Sequence, residues 1–229
     1  VLEGGPATQG RVVQDFFGAP AVTSAAPQHS ESAMAIKRLF DLAVASALLI
    51  LCAPLMAAIA LLVKLSSPGP VFFTQVRSGM NGRRFRMIKF RTMVDGAESL
   101  IRHSHNSITR GPVFKDPNDY RITPLGRYLR RLSLDELPQL FNVLKGDMSM
   151  VGPRPLPVHE ADSITGENRR RFSVPPGITC VWQVNGRSNV SYETWMTYDL
   201  QYVDKWSIWA DTRLLFQTVP AVLLRRGAY

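Results

Sequence analysis

The longest apolar segment of the chain lies between Asp41 and Lys64, and its 22 residues carry no charged side chain. The segment reads LAVASALLILCAPLMAAIALLV. A helix of about 20 predominantly apolar residues is long enough to cross the hydrocarbon core of a bilayer. The segment therefore predicts a membrane helix, and a helix buried in the core of the protein is the alternative.

Pro54 lies near the middle of this segment. Proline lacks an amide donor and clashes with the preceding turn, so we expect the helix to kink or break there. Basic residues flank both ends, with Lys37 and Arg38 before the segment and Lys64 and Arg77 after it. Because positive charge marks the cytoplasmic side of a membrane, this favours a re-entrant helix that breaks at Pro54 and returns to the same face. A straight span is the alternative.

The apolar residues that follow have first the spacing of strands and then that of helices. Residues 71–76 and 84–92 are β-prone, and the Asn81-Gly82 pair between them is a strong signal for a hairpin turn. Beyond them the predicted helices are 95–104, 124–132, 135–145, 191–204 and 208–225, with one further strand at 178–184. The predicted fold class is α+β: a helix-rich domain with a small β-hairpin, attached to the membrane segment.

These patterns divide the chain into three parts. Residues 1–36 mix Gly, Pro, Ala and Ser with little periodicity, which is typical of a linker. Because residue 1 is not Met, we expect residues 1–36 to be a linker or the remnant of a truncated N-terminal region. Residues 37–66 are the predicted re-entrant membrane helix, and residues 67–229 are the predicted domain at the cytosolic face.

The chain is strongly basic, with a formal net charge of +9 and a pI near 10.0. Residues 1–36 hold one basic and three acidic residues, so the basic excess lies in residues 37–229. Such an excess predicts anionic partners: nucleic acid, an acidic membrane face or phosphorylated substrates. Nucleic acid is excluded, because the sequence lacks a helix-turn-helix or an aromatic RNA-binding signature and carries the long apolar segment.

The cysteines and histidines indicate neither disulfides nor a metal centre. Cys52 and Cys180 lie in apolar surroundings and are predicted to be buried, reduced thiols, which favours a reducing compartment. No C-x-x-C or H-E-x-x-H spacing occurs. His103 and His105 form an isolated H-x-H pair in a polar stretch, which is more typical of a solvated loop than of a ligand pair.

Asp135 and Glu136 are adjacent carboxylates at the start of a predicted helix. Ser133 and Glu136 match a capping box, so a purely structural role is one interpretation. Three arginines in residues 127–131 and the positive end of the helix favour a different role, because together they would hold a phosphate beside Asp135. An ionised aspartate can attack phosphorus and form an acyl phosphate. A divalent ion near the second carboxylate would neutralise the diphosphate being broken.

Several segments resemble the bacterial sugar transferase family, the monotopic phosphoglycosyl transferases. They are SPGPVFFTQVRSG (67–79), KFRTM (89–93), SLDELPQLFNVLKGDMSMVGPRP (133–155), PPGITCVWQVNGR (175–187) and YDLQYVDKWSIWADTRLL (198–215). The resemblance runs from about Lys37 to Tyr229 and does not cover residues 1–36. It implies a monotopic membrane domain whose helix-break-helix anchor does not cross the bilayer. The family has Ser-Pro at the break, whereas this chain has Ala53-Pro54.

The resemblance also implies roles for individual residues. Asp135 would be the nucleophile, and Glu136 would assist by placing Mg²⁺ or by handling protons, so both are candidate metal ligands. The remaining candidates would bind the substrate. Arg130 and Arg154 would bind its phosphates, and Lys89 and Arg187 would bind the nucleotide sugar.

The function implied is the transfer of a hexose 1-phosphate from a UDP-sugar to undecaprenyl phosphate, with release of UMP and a phospho-sugar aspartyl intermediate. Such a reaction begins a repeat unit of exopolysaccharide, capsule or O-antigen. The implied location is the bacterial inner membrane, with the catalytic domain among lipid headgroups on the cytoplasmic face. The segment NGRSNVSYETW (185–195) resembles hexose-1-phosphate transferases. The alternative is a catalytically inactive, membrane-tethered binding or assembly protein, and a homo-oligomer remains open.

Overall fold

The computed structural model describes residues 29–97, 99–100, 119–185 and 190–223. Within these ranges the chain forms seven α-helices and two small β-sheets. The predicted α+β class, rich in helix and with a small hairpin, is confirmed.

Helix α1 is the apolar segment, and it runs from Glu31 to Ser66. Ser30 caps its first turn by accepting a hydrogen bond from the Ala33 amide. Helix α1 begins before the predicted residue 37 and is continuous through Pro54, where we expected a kink or a break. A proline inside a helix removes one backbone hydrogen bond, and the turns on either side remain helical here. Within the described residues α1 alone is long and apolar enough to cross a membrane, and only 17% of its most apolar window is buried.

Both halves of α1 pack against the same folded domain. In the first half Ala45 joins the main hydrophobic core, and in the second half Met56, Ile59 and Val63 form a smaller core with Phe90 and Leu129. Between these contacts, three apolar side chains of α1 are exposed: Ile50, Leu51 and Leu55.

The predicted hairpin consists of β1 (Phe72–Ser78) and β2 (Arg84–Phe90), which pair antiparallel. A short 3-10 turn joins them, and its Asn81 and Gly82 have positive φ angles of 53° and 75°. This backbone conformation explains the Asn-Gly signal in the sequence, because Gly and Asn adopt it most readily. Strand β4 (Leu156–Pro157) pairs with the other edge of β1, so the sheet order is β2-β1-β4.

The helices after the hairpin only partly match the prediction. Helix α2 (Pro124–Arg131) is as expected, but the predicted helix 135–145 is divided into a 3-10 turn at Leu134–Glu136 and α3 at Gln139–Lys145. Pro138 explains the division, because it has no amide to donate to the Leu134 carbonyl and the α-helix begins only after it. In the predicted helix 95–104, residues 95–97 and 99–100 form turns and the others lie outside the described residues.

The C-terminal part completes the domain with a two-stranded parallel sheet and four helices. The sheet pairs β3 (Ser149–Val151) with β5 (Gly177–Thr179). The helices are α4 (Val158–Asp162), α5 (Val181–Val184), α6 (Tyr192–Lys205) and α7 (Ile208–Leu223), and a 3-10 segment covers Gly166–Ser173. Helices α6 and α7 confirm the prediction, whereas the predicted strand 178–184 is strand only at its start and then helix.

Candidate active site

Asp135 and Glu136 occupy the 3-10 turn that precedes α3. Ser133, just before the turn, has a left-handed backbone with φ of 55°, and its side chain makes no capping hydrogen bond. The capping-box interpretation is therefore wrong. The expected placement at the N-terminus of an α-helix is wrong as well, because α3 begins only at Gln139.

The side chain of Glu136 is held by two cations from distant segments. Lys89 on β2 donates from Nζ to Oε1 at 2.8 Å. Arg154 donates from Nη2 to Oε1 at 2.7 Å and from Nη1 to Oε2 at 3.4 Å. Thus Lys89, Glu136 and Arg154, all predicted from the sequence, meet in one cluster, which we call the ionic cluster.

Asp135 lies beside the ionic cluster and is 7% exposed. Among the residues that the structure describes, none donates a hydrogen bond to its carboxylate, in contrast to Glu136. Burial raises the pKa of Asp135, and the positive charge of Lys89 opposes this rise. Burial also acts to raise the pKa of Glu136, but Arg154 and Lys89 outweigh it and hold that pKa well below its usual range.

Arg130 approaches the same site from α2. Its Nε donates to the hydroxyl of Thr92 at 2.8 Å. Burial lowers the pKa of Arg130, while the charge of Asp135 acts in the opposite direction, so the two groups share one electrostatic environment. Of the other predicted site residues, Pro54 lies within α1 and Arg187 lies outside the described residues.

Arg154 is positioned by contacts that the sequence analysis did not predict. Its carbonyl accepts a hydrogen bond from Arg171 at 2.8 Å, and Arg171 forms a buried ion pair with Asp199 at 2.7 Å. Burial raises the pKa of Asp199 to about 6, although Arg171 opposes the rise. No spacing in the sequence indicates that Asp199 supports Arg154. The one signal that could have pointed to Asp199 is that both residues lie in segments that resemble the family.

Two further features fix the loop that carries Arg154. A Cβ at Gly152 would stand 2.3 Å from the Pro175 carbonyl oxygen, so only glycine fits between these segments. Arg77 on β1 donates to the Pro155 carbonyl at 3.1 Å. Burial, together with the charge of Arg154, lowers the pKa of Arg77 to about 10. Arg77 was not predicted as a site residue, although it lies in a matched segment.

The site offers a divalent metal ion one uncommitted carboxylate. The described residues contain no group of three or more His, Cys, Asp or Glu side chains that could hold a metal. Glu136 could become a ligand only by releasing Lys89 or Arg154. The donors therefore fit a Mg²⁺ ion that arrives on a phosphorylated substrate, since Mg²⁺ is commonly bound through one or two carboxylates plus substrate phosphates and water.

Comparisons with known proteins agree on one family. A family model described as bacterial sugar transferase matches residues 32–225. Galactosyl transferase CpsE of Streptococcus agalactiae is 40% identical over 220 residues, which are 94% of this chain and 48% of that protein. Exopolysaccharide production protein ExoY of Rhizobium meliloti is 42% identical over 202 residues, 84% of this chain and 88% of that protein.

A third relative is the undecaprenyl-phosphate galactose phosphotransferase of Salmonella typhimurium, which is 42% identical over 200 residues. These are 85% of this chain and 42% of that protein. The chain thus spans about half of the length, or less, of the Streptococcus and Salmonella relatives, and most of the length of the Rhizobium one.

Proposed function

This chain belongs to the bacterial sugar transferase family, and from that membership we propose that it transfers a hexose 1-phosphate from a UDP-sugar to undecaprenyl phosphate, with release of UMP. Relatives named for a lipid carrier or for undecaprenyl phosphate support this proposal. The observation that carries it is the pair of carboxylates at residues 135 and 136. One is buried beside cations without being hydrogen-bonded by the described residues, and the other holds Lys89 and Arg154 in place.

The proposed reaction has two steps at one phosphorus atom. In the first, a carboxylate oxygen of Asp135 bonds to the phosphorus that carries the sugar. The bond from that phosphorus to the bridging oxygen breaks, and UMP leaves with the oxygen and the bonding electrons. In the second, an oxygen of the lipid phosphate bonds to the same phosphorus, and the bond to Asp135 breaks, which restores the carboxylate. Charge and atoms balance without any oxidant or reductant.

The surrounding cations favour the first step by neutralising the diphosphate. Arginine side chains bind phosphate oxygens through paired hydrogen bonds, and Arg130 and Arg154 both lie near Asp135. Glu136 is a weak base because its pKa is so low, so we assign it the role of holding Lys89 and Arg154 rather than that of moving a proton. Mg²⁺ bound to the diphosphate and to Asp135 would supply further charge neutralisation.

The proposed location is the bacterial inner membrane, with the domain on the cytoplasmic face and α1 as an anchor that does not cross. At the start of α1, Lys37 donates to Asp211 at 2.6 Å. At its end, Arg91 donates to the Val63 and Ser67 carbonyls at 3.3 and 2.8 Å. Along a straight helix these contacts would lie about 39 Å apart, more than the hydrocarbon thickness of a bilayer. Because a polar domain cannot follow a helix through hydrocarbon, contacts at both ends favour an anchor whose two ends lie on the same side of the bilayer.

A panel of UDP-sugars, incubated with the protein, Mg²⁺ and undecaprenyl phosphate, tests the proposal. We expect UMP release, and we expect UDP-hexoses to be better donors than N-acetylated or diamino UDP-sugars. Relatives named for galactose and for glucose are the basis for that order. A protein that releases no UMP from any donor would contradict the proposal. It would favour the second candidate, an inactive membrane-tethered assembly protein.

A further inference from the structure

An apolar groove runs between α1 and α7 and ends at the catalytic turn. Its volume is about 640 Å³, within the range of ligand pockets. One wall is a single face of α1, formed at four-residue spacing by Phe40, Val44, Leu48 and Cys52. The opposite wall is α7, and the end beside the active site includes Ser133, Leu134 and Glu136, the neighbours of Asp135.

Few polar side chains line the groove along its length, and one of them, Gln183, already accepts a hydrogen bond from Cys180 at 2.9 Å. Its threonines already bond within the protein: Thr179 and Thr218 to each other at 2.7 Å, and Thr212 to the Ile208 carbonyl at 2.8 Å. Glu136 is the one charged side chain among the lining residues that the structure describes. An occupant must therefore be apolar along the groove, and it can carry charge only at the end where Lys89 and Arg154 lie.

The groove is also continuous with surface that is suited to lipid. Apart from Phe40, its α1 wall belongs to the uncharged apolar segment, and on its α7 side Phe216 is 74% exposed. An exposed apolar patch of this kind marks a binding surface for a membrane or an apolar ligand. The hydrocarbon chain of a lipid could enter the groove from the bilayer without passing through water and bring its anionic headgroup to Asp135.

We propose that this groove holds the first isoprene units of undecaprenyl phosphate and thereby aims its phosphate at Asp135. The inference rests on the proposed function, whose acceptor is this lipid. It goes further in assigning the acceptor site to the facing sides of α1 and α7. The second step then depends on the groove, whereas the first step, attack on the UDP-sugar, does not.

Val219→Trp tests the assignment, because Val219 lines the groove and is 57% exposed, so that the larger ring can occupy the groove without disturbing the core. Leu51→Trp is the matched control, since Leu51 lies on α1, is 75% exposed and does not line the groove. We expect Val219→Trp to release UMP normally in the absence of lipid and to raise the KM for undecaprenyl phosphate about tenfold or more. Leu51→Trp should leave both unchanged. A KM within about twofold of that of the unmodified protein would overturn the assignment.

A photoreactive prenyl phosphate gives a readout that does not depend on turnover. We expect it to crosslink to peptides from α1 and α7, and we expect competition by undecaprenyl phosphate but not by an equal amount of phosphatidylglycerol. Equal competition by phosphatidylglycerol would show that the groove takes any lipid chain and would overturn the proposal, as would crosslinks confined to other segments. Failure of the proposed function looks different: no donor in the UDP-sugar panel would yield UMP, whatever the crosslinks show.

Discussion

Asp135 and Glu136 are adjacent in the sequence, yet the fold gives them opposite electrostatic environments. Burial raises the pKa of Asp135, whereas Arg154 and Lys89 overcome burial and lower that of Glu136. Two carboxylates whose pKa values are shifted in opposite directions in this way commonly have different chemical roles in one site. We therefore propose that Asp135 reacts with the substrate, while Glu136 holds Lys89 and Arg154 in position.

Substitution of each carboxylate by its amide separates these roles. Asp135→Asn should abolish UMP release, because the amide cannot form the acyl phosphate. Glu136→Gln should reduce turnover by about 10²–10³, since Lys89 and Arg154 lose their shared partner. Steady-state UMP release measures both effects, and thermal melting shows whether the variants fold. Asp162→Asn is a control, because Asp162 lies at the surface, where its ion-pair partner among the described residues is Arg84 at 3.8 Å. Substantial activity in Asp135→Asn would remove Asp135 from the role of nucleophile.

The Arg171–Asp199 pair predicts a pH dependence of activity. The pKa of Asp199 is raised to about 6, so its carboxylate is ionised at neutral pH and becomes protonated as the pH falls through that value. Because the pKa is raised, protonation favours the folded state, and its contribution to stability is lost as the pH rises through about 6. The ion pair between Arg171 and Asp199, which supports Arg154, requires the ionised carboxylate and is therefore lost as the pH falls. We therefore expect activity, rather than the fold, to be lost below that pH.

The pH–rate profile of UMP release checks this expectation against Asp199→Asn. The variant should be slower throughout, and the decline near pH 6 should be absent from its profile. Profiles of the same shape in both proteins would show that another group controls the acid side.

At the scale of elements, the catalytic turn depends on the backbone of Ser133 rather than on its hydroxyl. The residue has a left-handed conformation, with φ of 55°, and its side chain caps nothing. Ser133→Ala should therefore leave the thermal midpoint unchanged, whereas loss of a true cap costs about 1 kcal/mol. Ser133→Gly should raise the midpoint slightly, because glycine adopts this conformation without the steric cost borne by other residues. A clear loss of stability in the alanine variant alone would restore the capping role.

The elements that were predicted correctly are those with strong local signals. Asn81-Gly82 fixed the position of the hairpin, and the apolar spacing of 191–204 and 208–225 predicted α6 and α7. The helix expected at 135–145 begins only at Gln139, because Pro138 has no amide to donate a backbone hydrogen bond. We predicted an earlier start because we relied on the spacing of the apolar residues and gave Pro138 no weight.

The site was predictable where its chemistry follows from residue type and matched motifs, as for Asp135, Glu136, Lys89 and Arg154. Arg171 and Asp199 could not be found in this way, because they meet only after the 3-10 segment and α6 have packed together. A buried ion pair between separate elements has no characteristic spacing in the sequence.

In the whole molecule, the proposed anchor has both ends of α1 on the cytoplasmic side. Ile36→Cys and Pro70→Cys, in a Cys52→Ala background, test this with a maleimide that cannot cross the membrane. Cys180 should stay unlabelled, because it is buried and burial raises the pKa of its thiol. We expect both introduced cysteines to be protected in intact cells and labelled after the membrane is opened. Labelling of position 36 alone in intact cells would mean that α1 crosses the bilayer.

If Asp135 carries the sugar phosphate between the two substrates, the protein releases UMP from the donor in the absence of any lipid acceptor. With a UDP-hexose labelled in the sugar, we expect one UMP per active site and label bound to the protein, which added undecaprenyl phosphate then removes. Asp135→Asn should release no UMP and carry no label. If UMP appears only when the lipid is present, with intersecting rather than parallel double-reciprocal plots, transfer is direct and Asp135 does not carry the sugar phosphate.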